Sequence, residues 1–126
     1  MRGSTPLGRV LGYGSAKDGA GHWWVQRVTA VALVPLTVWF LLSLAGLPLA
    51  DQAAVTAWLR QPLHAVPAAL LVLTLCWHSR LGVQVVIEDY VHHHALKVTS
   101  LLLSTFAHAL LVATGVFAVL RVAFAA

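Results

Sequence analysis

Three long apolar stretches, separated by short polar ones, organise the chain. Val28 to Leu49 is interrupted only by Thr29, Thr37 and Ser43, whose hydroxyls can return hydrogen bonds to a helix backbone. Leu63 to Ile87 and Ala95 to Phe124 follow, and each supplies the ~20 residues that a bilayer crossing demands. Pro35 inside the first stretch predicts a bend of the kind a helical bundle tolerates. Gly46-Leu47-Pro48 stops the first helix and Gln61-Pro62 starts the second. Between them, Asp51 to Arg60 carries Trp58 and suits an interfacial half-turn. Residues 3–21 are rich in Gly, Ser and charge and read as irregular, with Trp23 and Trp24 at the headgroup level. The pattern predicts an all-α membrane protein of one domain, 1–126. An N-terminal segment 1–22 precedes membrane helices at about 23–49, 62–87 and 95–124.

Composition narrows the class. Of 126 residues, 60% are hydrophobic and 10% charged, with a mean hydropathy of +0.83. A soluble domain of this size has too little interior to hide that much apolar surface. The formal charge of +4 is not clustered on one face, so nucleic acid is not an expected partner and the lipid bilayer is. Arg2, Arg9, Lys17 and Arg27 precede the first span and Lys97 follows the second, against Arg60 and Arg121 on the other side. The N-terminus and the Glu88–Lys97 loop are therefore expected in the cytoplasm and the C-terminus across the membrane. No signal-peptide core precedes residue 28, so the first span reads as an anchor. Cys76 is the one cysteine, and an intramolecular disulfide is not possible.

Candidate chemistry centres on His78, deep in the second span. It lies ~14 Å of helix rise from Ile87, near the middle of the hydrocarbon layer. An imidazole there is costly unless something engages it: either a neighbouring helix or a ligand. A neutral imidazole binds haem iron well, and a macrocycle fills a gap between helices. Gly82, one turn on, falls on the same face, and Asp89, eleven residues on, returns to within roughly 20° of it. A second axial ligand within the chain would have to be His108, the other deep histidine. Otherwise His108 makes an interhelical hydrogen bond and the second ligand comes from another chain.

Asp89 and Tyr90 close the second span. Each alone is ordinary interface chemistry. Together with His78 they suggest a phenol donating to a quinone carbonyl and an acid that orients it or passes protons. His92-His93-His94 lacks the geometry and further ligands of a zinc site. Arg27 either snorkels to the interface or pairs with an anion such as a haem propionate. Arg80, two residues past His78, lies on the opposite face and carries no assigned role. Asp18, Asp51 and Glu88 read as solvated.

These residues resemble a known family. Arg27-Val28-Thr29-Ala30, followed by His78 with Gly82, Gln84, Asp89, Tyr90 and Val91 in register, looks like the hydrophobic membrane-anchor subunit of succinate dehydrogenase. His22-Trp23-Trp24-Val25-Gln26 looks like its alphaproteobacterial or mitochondrial-type branch. The resemblance implies a heteromeric helical bundle in a bacterial inner membrane. Its partners would be a flavoprotein, an iron–sulfur protein and a cytochrome b subunit. It implies one b-type haem shared with the cytochrome subunit, with His78 as this chain's axial ligand, and ubiquinone as substrate near Tyr90 and Asp89. Arg27 matches an arginine near the propionates, and His22 stands one residue out of register with a propionate-contacting histidine. The chain has no dinucleotide fingerprint and no cysteine cluster, so it would not be an enzyme on its own. The alternatives are a self-contained cytochrome b using His78 and His108, and a haem-free structural subunit of another membrane complex.

Overall fold

The computed structural model describes residues 17–125, and of residues 17–19 the backbone alone. Four helices follow one another: α1 (Lys17–Ala45), α2 (Gln52–Leu59), α3 (Pro62–Tyr90) and α4 (His94–Phe124). Ala20–Ala45, Pro62–Tyr90 and His94–Phe124 are long and apolar enough to cross a membrane, as the hydropathy pattern requires. Helix replaces the expected irregular segment from Lys17 onward; Arg2, Arg9 and residues 3–16 lie outside the described residues.

The ends are set by local chemistry. α1 runs through Pro35 and stops at Ala45 rather than Leu49. The Gly46 amide reaches back to the Leu42 and Ser43 carbonyls at 3.3 and 3.2 Å, and Pro48 has no amide hydrogen to continue the ladder. The Asp51–Arg60 segment forms two turns rather than a half-turn. Asp51 is its N-cap, accepting from the Ala53 and Ala54 amides at 2.9 and 3.3 Å. Asp51 is exposed, as expected, and its carboxylate also satisfies amide groups that a helix start leaves orphaned. Pro62 opens α3, where its missing N–H costs nothing. α3 ends where Val91 turns extended, and Lys97 Nζ donates to the Glu88 carbonyl at 2.8 Å, tying the start of α4 to the end of α3.

α3 is the central helix. It packs against α1 on one side and α4 on the other, while α1 and α4 do not pack on each other. The buried hydrophobic residues among those described are Ala65, Ala68, Leu71 and Leu81, all on α3. Small residues allow close approach. A methyl group built on Gly115 of α4 would lie 2.7 Å from Cγ1 of Val72 on α3. At the far end from Tyr90, the Trp39, Trp58 and His64 rings stack across α1, α2 and α3. The Trp58 and His64 centroids are 4.5 Å apart with planes 14° from parallel. The His64 Nδ1–H donates to the Trp58 carbonyl at 2.9 Å, which holds α2 against the start of α3.

Candidate site between α1 and α3

His22, Gln26 and Thr29 recur at offsets of four and seven along α1, which puts them on one face. That face meets His78 and Gly82 of α3. His78 Nδ1 lies 3.0 Å from Thr29 Oγ1, and a Cβ on Gly82 would stand 3.9 Å from Gln26 Nε2. The two contacts advance in opposite directions along the helices, so α1 and α3 are antiparallel. The start of α1 and the end of α3 therefore share one end of the bundle.

The stripe is only partly satisfied. Thr29 Oγ1 also lies 2.9 Å from the Val25 carbonyl and 3.0 Å from that of Gln26. By contrast, His22 Nε2 and Gln26 Oε1 are shielded from solvent and have no hydrogen-bond partner. Among the described residues His78 bonds only to Thr29, so its Nε2 is unengaged. Gly82 is not required by packing within the chain, since 3.9 Å is ordinary van der Waals contact. Unpaired polar atoms are costly in a membrane span. An imidazole lone pair at His78, with the Gln26 amide one turn along the same interface, suits a polar or metal-bearing group, and His22 stands one turn further along that face of α1.

His108 is engaged differently. The Ser104 carbonyl, 2.7 Å from its Nδ1, can only accept, so Nδ1 carries the proton. Its Nε2 then accepts from the Ser79 hydroxyl at 3.2 Å. Both nitrogens are committed, and they face the α3–α4 side rather than α1. That side holds a cleft of about 400 Å³ lined by Trp77, Arg80, Thr105 and His108 among others.

Asp89 and Tyr90 are exposed at the end of α3, ~18 Å of helix rise from His78. Tyr90 is 78% exposed, which leaves its phenol open to whatever lies at the membrane edge. Glu88 accepts from Gln84 Nε2 at 2.8 Å. Arg27 is exposed, its guanidinium carbon 5.5 Å from the centroid of the Trp23 ring. On α1 it stands about 160° around the helix from Thr29. In the sequence Thr29 reads as a backbone-bonding hydroxyl and Gln26 only as part of a family-like motif, neither with a role toward His78. The signal available was their spacing with His22 in an otherwise apolar helix.

The family described as succinate dehydrogenase/fumarate reductase transmembrane subunit matches residues 1–121 of the chain. The succinate dehydrogenase hydrophobic membrane anchor subunit of Paracoccus denitrificans is 32% identical over 121 residues, covering 96% of this chain and 93% of its own. The subunit of the same name from Rickettsia bellii is 38% identical over 86 residues, covering 68% and 69%. The succinate dehydrogenase membrane anchor subunit of Reclinomonas americana is 30% identical over 99 residues, covering 75% and 82%. No solved structure gives a significant match.

Proposed function

The chain belongs to the succinate dehydrogenase/fumarate reductase transmembrane-subunit family, and on that premise we propose that it supplies one axial ligand to a haem shared with a partner subunit. It is a membrane-anchor subunit of succinate dehydrogenase and not itself the dehydrogenase. The reading extends to tethering the flavoprotein and iron–sulfur subunits on the cytoplasmic side of a bacterial inner membrane, with the N-terminus cytoplasmic and the C-terminus periplasmic. There it contributes part of a ubiquinone site.

The observation that carries this reading is the contrast between the two deep histidines. His78 keeps Nε2 free, with two further unsatisfied polar atoms along the α1 face it meets, whereas both nitrogens of His108 are taken. An internal bis-histidine site would have to break the Ser79 bond and bring together two rings that face opposite sides of α3, so the second ligand belongs to the cytochrome b subunit. A b-type haem bound there supplies a one-electron site within the bundle. His22 and Gln26 offer polar groups along the same face of α1, whereas Arg27 stands about 160° around the helix from Thr29 and would meet a propionate only where the haem edge passed α1 into the partner subunit. Tyr90 donates to a quinone carbonyl, with Asp89 shaping the site or relaying protons.

Purification of the native complex through a tag on this chain tests the reading. Flavin, an iron–sulfur protein and low-spin haem are expected to co-purify in fixed ratio with it. Recovery of the chain in a complex without flavin or iron–sulfur protein would overturn it.

A further inference from the structure

We infer that Thr29 is a positioning residue for His78: its hydroxyl holds the imidazole in the Nδ1–H tautomer and leaves the Nε2 lone pair for a metal. The inference rests on the reading of His78 as a ligand and adds to it a residue on a different helix. Proton counting carries it. If Nδ1 is protonated, two hydrogen bonds form in series. Nδ1–H donates to Thr29 Oγ1 across 3.0 Å, and the hydroxyl donates in turn to the Val25 carbonyl at 2.9 Å or the Gln26 carbonyl at 3.0 Å. If instead the hydroxyl donates to Nδ1, the carbonyls lose that proton. Nε2–H is then left with no acceptor among the described residues, inside a membrane span. The first arrangement makes one more bond and strands no donor.

The α1 backbone enforces the arrangement. A threonine hydroxyl in a helix returns readily to a carbonyl three or four residues back. Once it does, toward a neighbouring helix it can only accept. The acceptor then fixes both the tautomer and the ring plane, and it raises the basicity of the free nitrogen. The same two helices approach one another again a turn away, where a Cβ built on Gly82 would stand 3.9 Å from Gln26 Nε2.

Thr29→Val keeps the shape and removes the hydroxyl, and Thr29→Ser keeps the hydroxyl. In the purified complete complex, Thr29→Val is expected to weaken haem retention about 10-fold. It should also raise the haem midpoint potential, because a less basic imidazole favours the reduced iron. Thr29→Ser should restore both. Wild-type behaviour of Thr29→Val, or equal defects in both variants, would overturn the inference. A variant that fails to assemble does not block the test, since the wild-type complex decides the tautomer directly. With histidine ¹⁵N-labelled in this chain and the haem reduced, the His78 resonance, assigned by its loss in His78→Gln, should show a proton on Nδ1. A proton on Nε2 would refute the assignment. Retention of haem in His78→Gln separates the two failures, for it would refute the ligand reading while the ¹⁵N spectrum of the wild type still settles the tautomer.

Discussion

Ser79 and His108 meet across the α3–α4 interface, hydroxyl to Nε2 at 3.2 Å, one residue along the chain from the histidine that faces α1. Neighbouring positions on α3 thus serve opposite sides: Ser79 closes an interhelical bond while His78 leaves a nitrogen open. His78→Ala is therefore expected to abolish the low-spin haem spectrum of the purified complex. His108→Ala should leave that spectrum in place and cost only the interhelical bond, on the order of 1 kcal/mol. Equal loss of haem in the two variants would favour the self-contained cytochrome.

The chain on its own is expected to hold no stable six-coordinate haem, because the proposed site takes its second ligand from another polypeptide. Titration of haem into the isolated chain in detergent, followed by absorbance, checks this. A stoichiometric low-spin complex would count against a shared site.

Tyr90→Phe removes a hydroxyl and keeps the ring. With the side chain 78% exposed and making no hydrogen bond among the described residues, assembly should be unaffected. Loss of one hydrogen bond to a quinone carbonyl, about 1 kcal/mol, corresponds to roughly a fivefold loss in ubiquinone reduction. Succinate oxidation with a soluble dye should survive. Asp89→Asn should show a related quinone defect. A wild-type rate and affinity for ubiquinone in Tyr90→Phe would reduce the tyrosine to an interfacial anchor.

Gly115→Ala should destabilise the α3–α4 pairing by about 1–3 kcal/mol, because the added methyl group would sit 2.7 Å from Val72 Cγ1. Valine is stiff at χ1 and cannot swing clear. A lowered midpoint for thermal unfolding in detergent checks this. Val72→Ala in the same chain should recover part of the loss by opening the space.

Much of this was legible from residue order because a bilayer imposes one period and one length. Three apolar runs gave three spans, and His78 and His108 stood out as isolated imidazoles deep in apolar helices. The helix ends were less legible. Gly46 and Pro48 announced a stop, but the final turn tightens at Ala45, ahead of the last apolar residue of the run. Asp51 carried a recognisable cap signal that short length obscured. Partnerships between helices were not readable at all. That Thr29 meets His78 and Ser79 meets His108 depends on the rotation of each helix about its axis. In an apolar span that rotation is weakly encoded, since lipid accepts almost any face. The Trp39–Trp58–His64 stack was hidden for the same reason, its members lying on three different helices.

The central position of α3 also bears on how the chain is made. Each long helix packs only on the long helix that comes before it in sequence: α3 on α1, then α4 on α3. The one return is α4 touching the short α2, and the other loops to be closed are short, which favours rapid pairing. During synthesis the α1–α3 pair, with His78 already against Thr29, can form while α4 is still in the ribosome. The pairing of His78 with Thr29 is thus set by the first two-thirds of the polypeptide. The last third adds to the opposite side of a helix already in place.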